Sequence, residues 1–309
     1  MNAVTQTVAP VSALKSSLRD FVAGGSTEVT PNDEKLLGEM ARILPAGFPV
    51  YVANTPKTSP DDVVRVALRL QELGLTASPH VIARRVVDAD RLRDRLRALA
   101  AGGVQQLLLV AGDVAIPNPA FSSTLELLES GVVSDAGIRR VGVAGHPEGH
   151  PVVPDEVLWQ VLERKQAIAR ATGLTMHIAT QFGFDARSLT DWEQGLASRG
   201  IVLPIHAGVA GPTPFLKLLK YAAHCGVGAS LKAVSGNPMS LSRLPHLVTK
   251  ADEMLLGVLR AKQLNPVSRI FAPHFFAFGG VLETSRWLRK VIEGSFELDA
   301  AERGFSINT

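Results

Sequence analysis

The feature that most constrains the fold of this chain is a regular alternation between short apolar runs and longer amphipathic segments, starting near Ser26. This alternation is typical of β-α units that build a parallel sheet. Eight apolar runs are candidate strands: Ser26–Val29, Pro49–Ala53, Thr76–His80, Gln106–Ala111, Arg140–Ala144, Met176–Thr180, Val202–Ala207 and Arg269–Phe275. They predict a single (β/α)₈ TIM barrel, and the chain's 309 residues exceed the roughly 250 that this fold needs, so extra helices are expected near both ends.

Capping residues support helices between these strands. Asn32 or Asp33 is expected to cap the first helix, and Ser59 is expected to cap the second, which opens with a proline and two acidic residues. Gly74 follows the expected end of the second helix. Further helices are predicted at Asp88–Ala101, Asp155–Thr172, Leu189–Arg199, Val248–Leu264 and Val281–Ile292, with an extra loop and short helix before Val248.

The domain organisation predicted from the sequence is simple. Residues 1–20 are expected to form an arm or a short leading helix, and residues 21–309 the catalytic TIM-barrel domain. Met1–Ser17 has no basic start followed by an apolar run, and no stretch of about 18 apolar residues occurs, so we expect a cytoplasmic protein without a membrane partner. Cys225 is the only cysteine, which excludes an intrachain disulfide.

The net charge of +3 is not concentrated in any run of Lys or Arg, so we expect no nucleic-acid partner. The mild excess of basic residues is compatible with an anionic ligand.

Polar residues gather where the predicted strands end, and the amino ends of the strands show no comparable set. In a TIM barrel the carboxyl ends of all eight strands meet at one rim, which carries the active site. Convergence of these groups predicts a polar ligand with several hydrogen-bonding edges. The residues are Glu28, Asn54, Thr55, His80, Gly112, Asp113, His146, Glu148, His150, Thr180, Gln181, His206 and His274.

Four motifs lie among these residues in a fixed order. Ala144–Pro151 reads AGHPEGHP and Thr180–Asp185 reads TQFGFD, while Val110–Asp113 reads VAGD and Ser26–Pro31 reads STEVTP. From about Ser26 to Gly208 the chain resembles the methylenetetrahydrofolate reductase family, whose corresponding motifs are A-x-Y-P-E-x-H-P, T-Q-x-x-[FY]-D, L-R-G-D and S-F-E-[FV]-x-P.

The resemblance implies a reaction of one-carbon metabolism that serves methionine biosynthesis. Members pass a hydride from NAD(P)H to FAD and then to methylenetetrahydrofolate. By resemblance, Glu28 is the general acid that opens the one-carbon ring, and Asp113 binds the pterin and stabilises the iminium. Gln181 contacts the pterin. Tetrahydrofolate derivatives are therefore the expected ligands, with catalytic roles for Glu28 and Asp113.

The resemblance also implies a non-covalent FAD site. Its matching positions are Thr55, His80, Gly112, Asp113, Phe121, Ser122, Ala144, His146, His150 and Lys165. Lys165 is expected to meet a phosphate, and Phe121 stands where the family often has tyrosine.

Three departures fall near the expected flavin. Ala111 replaces the arginine of L-R-G-D, and no other Arg or Lys lies close by in this loop. His146 replaces a tyrosine, and His206-Ala207-Gly208 replaces the family's P-G-I. FAD is thus expected to bind weakly or through altered contacts, and direct hydride transfer from the nicotinamide to the folate is an alternative. The reverse direction, oxidation of methyltetrahydrofolate, is also open.

Phe275, Phe276 and Phe278 are candidates for an aromatic that stacks on the ligand, although phenylalanines at strand ends are more often part of the core.

Two other classes of protein are also consistent with the sequence. A metal-dependent hydrolase would use His146, Glu148 and His150 with histidines from other strands as ligands. We expect no metal, because Pro147 and Gly149 match the reductase motif. A non-catalytic folate- or flavin-binding module would keep Gln181 and Asp113 but would not need Glu28.

Overall fold

A computed structural model describes residues 11–113, 116–213 and 251–307 of the chain. Eight parallel strands close into one barrel in the order of the sequence, which confirms the predicted fold. The strands are β1 Ser26–Val29, β2 Pro49–Val52, β3 Thr76–Ile82, β4 Gln106–Val110, β5 Arg140–Gly145, β6 Thr175–Gly183, β7 Ile205–Ala210 and β8 Ile270–Phe276.

The barrel closes between its first and last strands. Ser26 of β1 pairs with His274 of β8, and Thr27 pairs with Phe275. The Thr27 hydroxyl donates to the Phe275 carbonyl at 3.1 Å, so a side chain reinforces this short ladder. A two-stranded antiparallel sheet, β9 Phe296–Leu298 with β10 Phe305–Ile307, follows the barrel and was not expected from the sequence.

Helices pack around the barrel, and two short ones between β4 and β5 were not predicted from the sequence. A 3₁₀-helix spans Pro31–Leu36. The α-helices are α1 Val11–Ala23, α2 Leu37–Ile43, α3 Pro60–Glu72, α4 Ala89–Ala101, α5 Thr124–Glu129, α6 Val132–Asp135, α7 Asp155–Thr172, α8 Ala186–Ser198, α9 Ala251–Leu264 and α10 Val281–Glu293. None of the helices in the described ranges has the length and apolarity needed to cross a lipid bilayer.

The expected caps hold at one helix and fail at another. Ser59 caps α3, and its hydroxyl accepts from the Asp62 amide at 3.1 Å. The first helical segment begins earlier than expected, because Thr30 is its N-cap. Asp33 sits three residues on and accepts hydrogen bonds from the Thr30 amide and hydroxyl at 2.8 and 2.7 Å. It completes a capping box rather than capping the helix itself.

Val11–Ala23 form α1, which runs past the expected boundary at residue 20. Leu14 and Leu18 of α1 are buried in the main core, so this helix is packed against the barrel. The division between an arm and a catalytic domain stays a prediction. Cys225, the expected loop after Val227 and the first residues of the helix predicted from Val248 lie outside the described residues.

Several strand bounds differ from the sequence prediction, and the differences move polar residues into the barrel. β7 begins at Ile205 rather than at Val202, after Pro204, which has no amide to donate to a ladder. His206 therefore lies at the beginning of β7 and not at its end. β3 extends to Ile82 and β6 to Gly183, so His80 and Gln181 also lie within strands.

The core has an apolar outer layer and a polar interior. Outward strand residues such as Val50, Leu107 and Phe275 pack with the helices in one continuous cluster. TIM-barrel interiors are usually filled by branched apolar residues. This one holds Tyr51 and four histidines, among which ring centroids lie 4.4 Å apart for His177–His206 and 4.5 Å apart for Tyr51–His274.

Some of the polar side chains in the barrel interior form hydrogen bonds with one another. The Tyr51 hydroxyl lies 2.7 Å from His177 Nε2 and accepts from Gln106 Nε2 at 3.2 Å. His274 Nδ1 lies 2.8 Å from the Ser26 hydroxyl. The expectation that the amino ends of the strands carry no comparable set of polar residues is thus wrong, since Gln106 and His206 lie near the amino ends of β4 and β7.

Replacing Tyr51 with phenylalanine tests the weight of this network. Tyr51→Phe removes the buried hydrogen-bond partner of the His177 imidazole and one of the two partners of the Gln106 amide, which keeps the Ser78 hydroxyl. We expect the free energy of unfolding to fall by about 1–3 kcal/mol, measured by urea denaturation. Thr172→Ala is the control, because it removes an exposed hydroxyl bonded to the Ile168 carbonyl, and we expect it to cost within about 0.5 kcal/mol. Equal effects of the two changes would contradict the role of the network.

Candidate active site

Glu28 lies on the inner face of β1 at the carboxyl rim, beside Tyr51 in the parallel register with β2. Among the described residues none forms a hydrogen bond with its carboxyl group. Burial, and secondarily repulsion by the Asp33 carboxylate, raises the pKa of Glu28 to about 8. The carboxyl group is therefore largely protonated at neutral pH and can act as a proton donor.

Asp113 lies beyond the end of β4, on an exposed loop. Gly112 precedes it with φ of +89°, and a methyl group at Gly112 would collide with Cγ2 of Ile82. Only glycine fits this combination of backbone conformation and close approach. The Gly-Asp pair therefore forms a defined turn, and Asp113 projects from it at the rim.

A guanidinium group that sequence reasoning missed lies under this loop. Arg84, which follows β3, donates from Nη1 to the Gly112 carbonyl at 3.0 Å and from Nε to the Ser122 carbonyl at 2.9 Å. The sequence interpretation considered only the loop containing Ala111. The segment after β3 brings the guanidinium group of Arg84 against the loop that contains Ala111.

Gln181 lies at an irregularity of β6, where the pairing with β7 shifts between Ala179 and Phe182. The Thr180 hydroxyl accepts from the Gly208 amide at 2.8 Å and donates to the Gln181 carbonyl at 2.9 Å. A methyl group at Gly208 would collide with the Gln181 carbonyl. The side chain of Gln181 lines a cavity shared with Glu148, which places an amide and a carboxylate at one opening.

His146, His150 and Lys165 form a second group, beside the end of β5. The two histidine rings lie 5.1 Å apart. His150 Nδ1 accepts from the amides of Val152 and Val153 at 3.2 Å, which assigns its proton to Nε2 and makes that atom a donor. Burial lowers the pKa of His146 to about 4, with smaller effects of His150 and Lys165.

Lys165 is the most unusual member of this group. It is only 5% exposed on α7, and burial lowers its pKa to about 8. No carboxylate in the described part of the chain pairs with it. A buried ammonium without a counter-ion is costly, and a bound anion would remove that cost.

The three phenylalanine candidates occupy different places. Phe275 is fully buried and packs outward against Trp287, so it belongs to the core. Phe276 and Phe278 stack at 5.9 Å, and both contact Phe182 at the rim. An aromatic wall therefore borders the same mouth as Gln181.

The barrel and its rim match a known protein family. The family model for methylenetetrahydrofolate reductase matches residues 29–232, which is more than half of the chain. The chain belongs to the methylenetetrahydrofolate reductase family. This is a family of folate-related oxidoreductases, whose members are generally flavin-linked.

Solved structures with a similar fold have low sequence identity to this family member. A dihydropteroate synthase from Thermus thermophilus is 13% identical with a TM-score of 0.46, covering 87% of this chain and 90% of its own. A putative deoxyribose-phosphate aldolase from Toxoplasma gondii ME49 is 11% identical with a TM-score of 0.44, covering 91% and 96%.

The positions that the family resemblance assigns to a flavin divide into two groups. His146, His150 and Lys165 offer donors and positive charge, and they fit the anionic part of a flavin dinucleotide. In the loop after the neighbouring strand β4, Phe121 is 5% exposed and belongs to the main core. Its ring therefore presents little surface for stacking.

Most of the remaining residues assigned to a flavin already interact with other residues of the chain. Ser122 donates from its amide and hydroxyl to Glu126 at 2.7 Å, and the Thr55 amide donates to the Thr58 hydroxyl at 2.9 Å. His80 lies inside the barrel, 6.1 Å from Tyr51, and Ala144 is half-buried on β5. The roles of these residues toward a flavin stay predictions.

The metal-hydrolase alternative would need a cluster of ligands. Within residues 11–113, 116–213 and 251–307, no group of three or more His, Cys, Asp or Glu is arranged to hold a metal ion. The geometry of the family member therefore gives that alternative no support.

Lys165 yields a prediction that separates ligand binding from stability. Its folded-state pKa lies below the ordinary value of 10.5, so its destabilising effect is complete below pH about 8 and disappears as the pH rises through 10.5. Lys165→Met should raise the free energy of unfolding at neutral pH by up to about 3 kcal/mol. It should also weaken FAD binding, measured by fluorescence titration.

Lys262→Met is the control, because burial also lowers the pKa of Lys262 but that lysine lies on α9, outside the flavin positions. It should leave flavin affinity unchanged. A Lys165→Met protein that is destabilised and keeps full flavin affinity would show that the ammonium group has a structural role only.

Proposed function

We propose that the chain is a cytoplasmic 5,10-methylenetetrahydrofolate reductase, an oxidoreductase acting on CH–NH donors, that transfers a hydride between NAD(P)H and the folate. The observation that carries the proposal is Glu28, a carboxyl group at the rim of a barrel of this family whose pKa is raised to about 8, mainly by burial. A reaction that breaks a C–N bond needs such an acid close to the leaving nitrogen.

The chemistry assigned to Glu28 is proton transfer. Its carboxyl group donates a proton to one nitrogen of the five-membered ring as the bond between that nitrogen and the bridging carbon breaks. The other nitrogen then forms an iminium with this carbon. The hydride adds to the iminium carbon and gives a methyl group, so each turnover consumes one hydride and one proton. Glu28 recovers its proton from solvent.

Asp113 is assigned to the charge that develops in this step. An iminium carries one positive charge, and a carboxylate that is already held in the right orientation stabilises that charge. Gln181 is assigned to the pterin, because its amide can both donate and accept along one edge of a heterocycle. Glu148 shares the cavity with Gln181 and extends this polar edge.

FAD is the cofactor that we propose for the hydride route. His146, His150 and Lys165 would hold its anionic part, with Thr55, Gly112, Ser122 and Ala144 along the rest of the rim and His80 in the barrel interior below it. Bound there, a flavin would supply reversible two-electron chemistry between the nicotinamide and the folate. The protein's part is to orient the ligands and exclude water.

Direct transfer from the nicotinamide to the folate is the second candidate. It is supported by the burial of Phe121 and by the state of Arg84, whose guanidinium already donates to two carbonyls. Ala111 adds no charge of its own. These features weaken the side of the flavin site that lies next to Asp113.

The first test is an assay with purified protein, methylenetetrahydrofolate and NADH, with and without FAD, following the loss of NADH absorbance. Folate-dependent oxidation that requires FAD supports the flavin route. Oxidation in flavin-free protein supports direct transfer. No oxidation in either case, and no reaction of methyltetrahydrofolate with an electron acceptor, would overturn the reductase proposal.

Glu28→Gln gives the sharpest test of the acid. The amide has nearly the same shape and cannot donate the proton, so we expect kcat to fall by about 100-fold or more with a modest change in KM. In the unmodified protein, activity should fall as the pH rises through about 8, because Glu28 loses its proton there. This pH dependence should be absent from the residual activity of Glu28→Gln.

The control for this change is Glu72→Gln, which removes an exposed carboxylate paired with Arg69 on α3. It should leave kcat and the pH profile unchanged. Full turnover in Glu28→Gln would remove the assigned acid role and would favour a non-catalytic folate- or flavin-binding module.

A further inference from the structure

The loop between β4 and α5 carries Asp113 near its beginning and Ser122 near its end. Such a loop can only orient a catalytic carboxylate if something holds its two ends. Its own sequence offers no cation for this purpose, since Ala111 is apolar. The neighbouring loop after β3 supplies one.

Arg84 lies in the middle of the short 3₁₀-helix Ala83–Arg85 that follows β3. Its side chain reaches both ends of the Asp113 loop, with Nη1 at 3.0 Å from the Gly112 carbonyl and Nε at 2.9 Å from the Ser122 carbonyl. The planar guanidinium group therefore connects the start of the Asp113 loop to its end. A lysine, with a single ammonium, cannot reproduce this fork.

The main chain of the same segment adds further hydrogen bonds. The Arg84 amide donates to the Ala111 carbonyl at 3.0 Å, and the Arg84 carbonyl accepts from the Ile116 amide at 3.0 Å. Two residues along, the Val86 carbonyl accepts from the Ala120 amide at 2.7 Å. The β3 loop and the Asp113 loop are thus joined along most of their described length.

The bond to Gly112 acts directly on Asp113. The Gly112 carbonyl and the Asp113 amide belong to the same rigid peptide plane. Fixing that carbonyl therefore fixes the plane from which the Asp113 side chain projects. Hydrogen bonds from a charged donor stabilise more than neutral ones do.

No described carboxylate pairs with Arg84, in contrast to several arginines of the outer helices, such as Arg65 and Arg199. Its hydrogen-bond acceptors are carbonyl groups of the Asp113 loop. The position of this residue is therefore coupled to the loop and not to a surface ion pair.

We propose that Arg84 is a positioning residue for Asp113. It holds the Asp113 loop by both ends and so sets the direction of the Asp113 carboxylate toward the substrate. The catalytic consequence rests on the proposed reductase function, whereas the clamp itself can be measured without any substrate.

Amide hydrogen exchange of the full chain tests the clamp. Arg84→Ala should accelerate exchange of the Ile116 and Ala120 amides and of the other amides in the described part of residues 112–122, because the loop opens locally. Arg85→Ala is the matched control, since Arg85 is the next residue and makes no hydrogen bond to this loop in the described structure. Equal exchange in Arg84→Ala and the unmodified protein would overturn the clamp.

Steady-state kinetics test the link to Asp113. Arg84→Ala should lower kcat by about 10- to 100-fold, because a misplaced catalytic group loses its geometry. Asp113→Asn should lower it as well, and the double variant should be no worse than the slower single variant, since both changes disable one group. Added guanidinium ion should restore part of the activity of Arg84→Ala, and Arg84→Lys should restore little.

Two results would overturn the positioning role. One is a product of the two single losses in the double variant, which would mean that Arg84 and Asp113 act independently. The other is full activity of Arg84→Ala together with faster loop exchange. If the unmodified protein has no folate-dependent activity, the proposed function fails, and hydrogen exchange still confirms or refutes the clamp.

Discussion

The pairing of β1 with β8 is the constraint on which the whole site depends. It closes eight parallel strands into a ring and therefore brings the carboxyl ends of all of them to one rim. Glu28 lies one residue beyond the last closure pair, so its carboxyl group faces the mouth. Without closure, Glu28 and the aromatic pair Phe276 and Phe278 would lie at opposite edges of an open sheet.

The polar interior beneath this rim connects the fold with the chemistry. Burial lowers the pKa of His80 and His206 to about 4 and that of His177 to about 3. These rings are therefore neutral at neutral pH. The neutral histidine rings below the rim supply no positive charge that would stabilise the carboxylate form of Glu28. This agrees with the raised pKa of Glu28.

Arg84 and Lys165 are both cations at the rim, and their surroundings lead to different assigned roles. Arg84 is bonded to loop carbonyls, and we assign it to holding the protein's own backbone. Lys165 is deeply buried and has no carboxylate partner among the described residues, and we assign it to an external anion. The charge of Arg84 is therefore assigned to ordering a loop of the chain itself, and the charge of Lys165 is assigned to binding a ligand.

The order of the eight strands, most of the helices and the family motifs could be predicted from the sequence. Strand periodicity, the Ser59 cap and the motif containing His146 are local patterns, and local patterns survive in a single sequence. The first and last residues of the strands were less predictable. The apolar run at Val202 predicted a strand, but Pro204 delays its start, and this moves His206 from the rim into the barrel.

What only the tertiary structure decided is how residues far apart in the chain meet. Tyr51 and His177 are separated by 126 positions and share a hydrogen bond, and Arg84 reaches Gly112 across 28 positions. Neither contact has a spacing that could be read along the chain, because each arises from barrel closure and from loops that cross at the rim. The sequence by itself determined the barrel and singled out Glu28 as the proposed acid. Packing raises the pKa of that carboxyl group and holds the loop that carries Asp113.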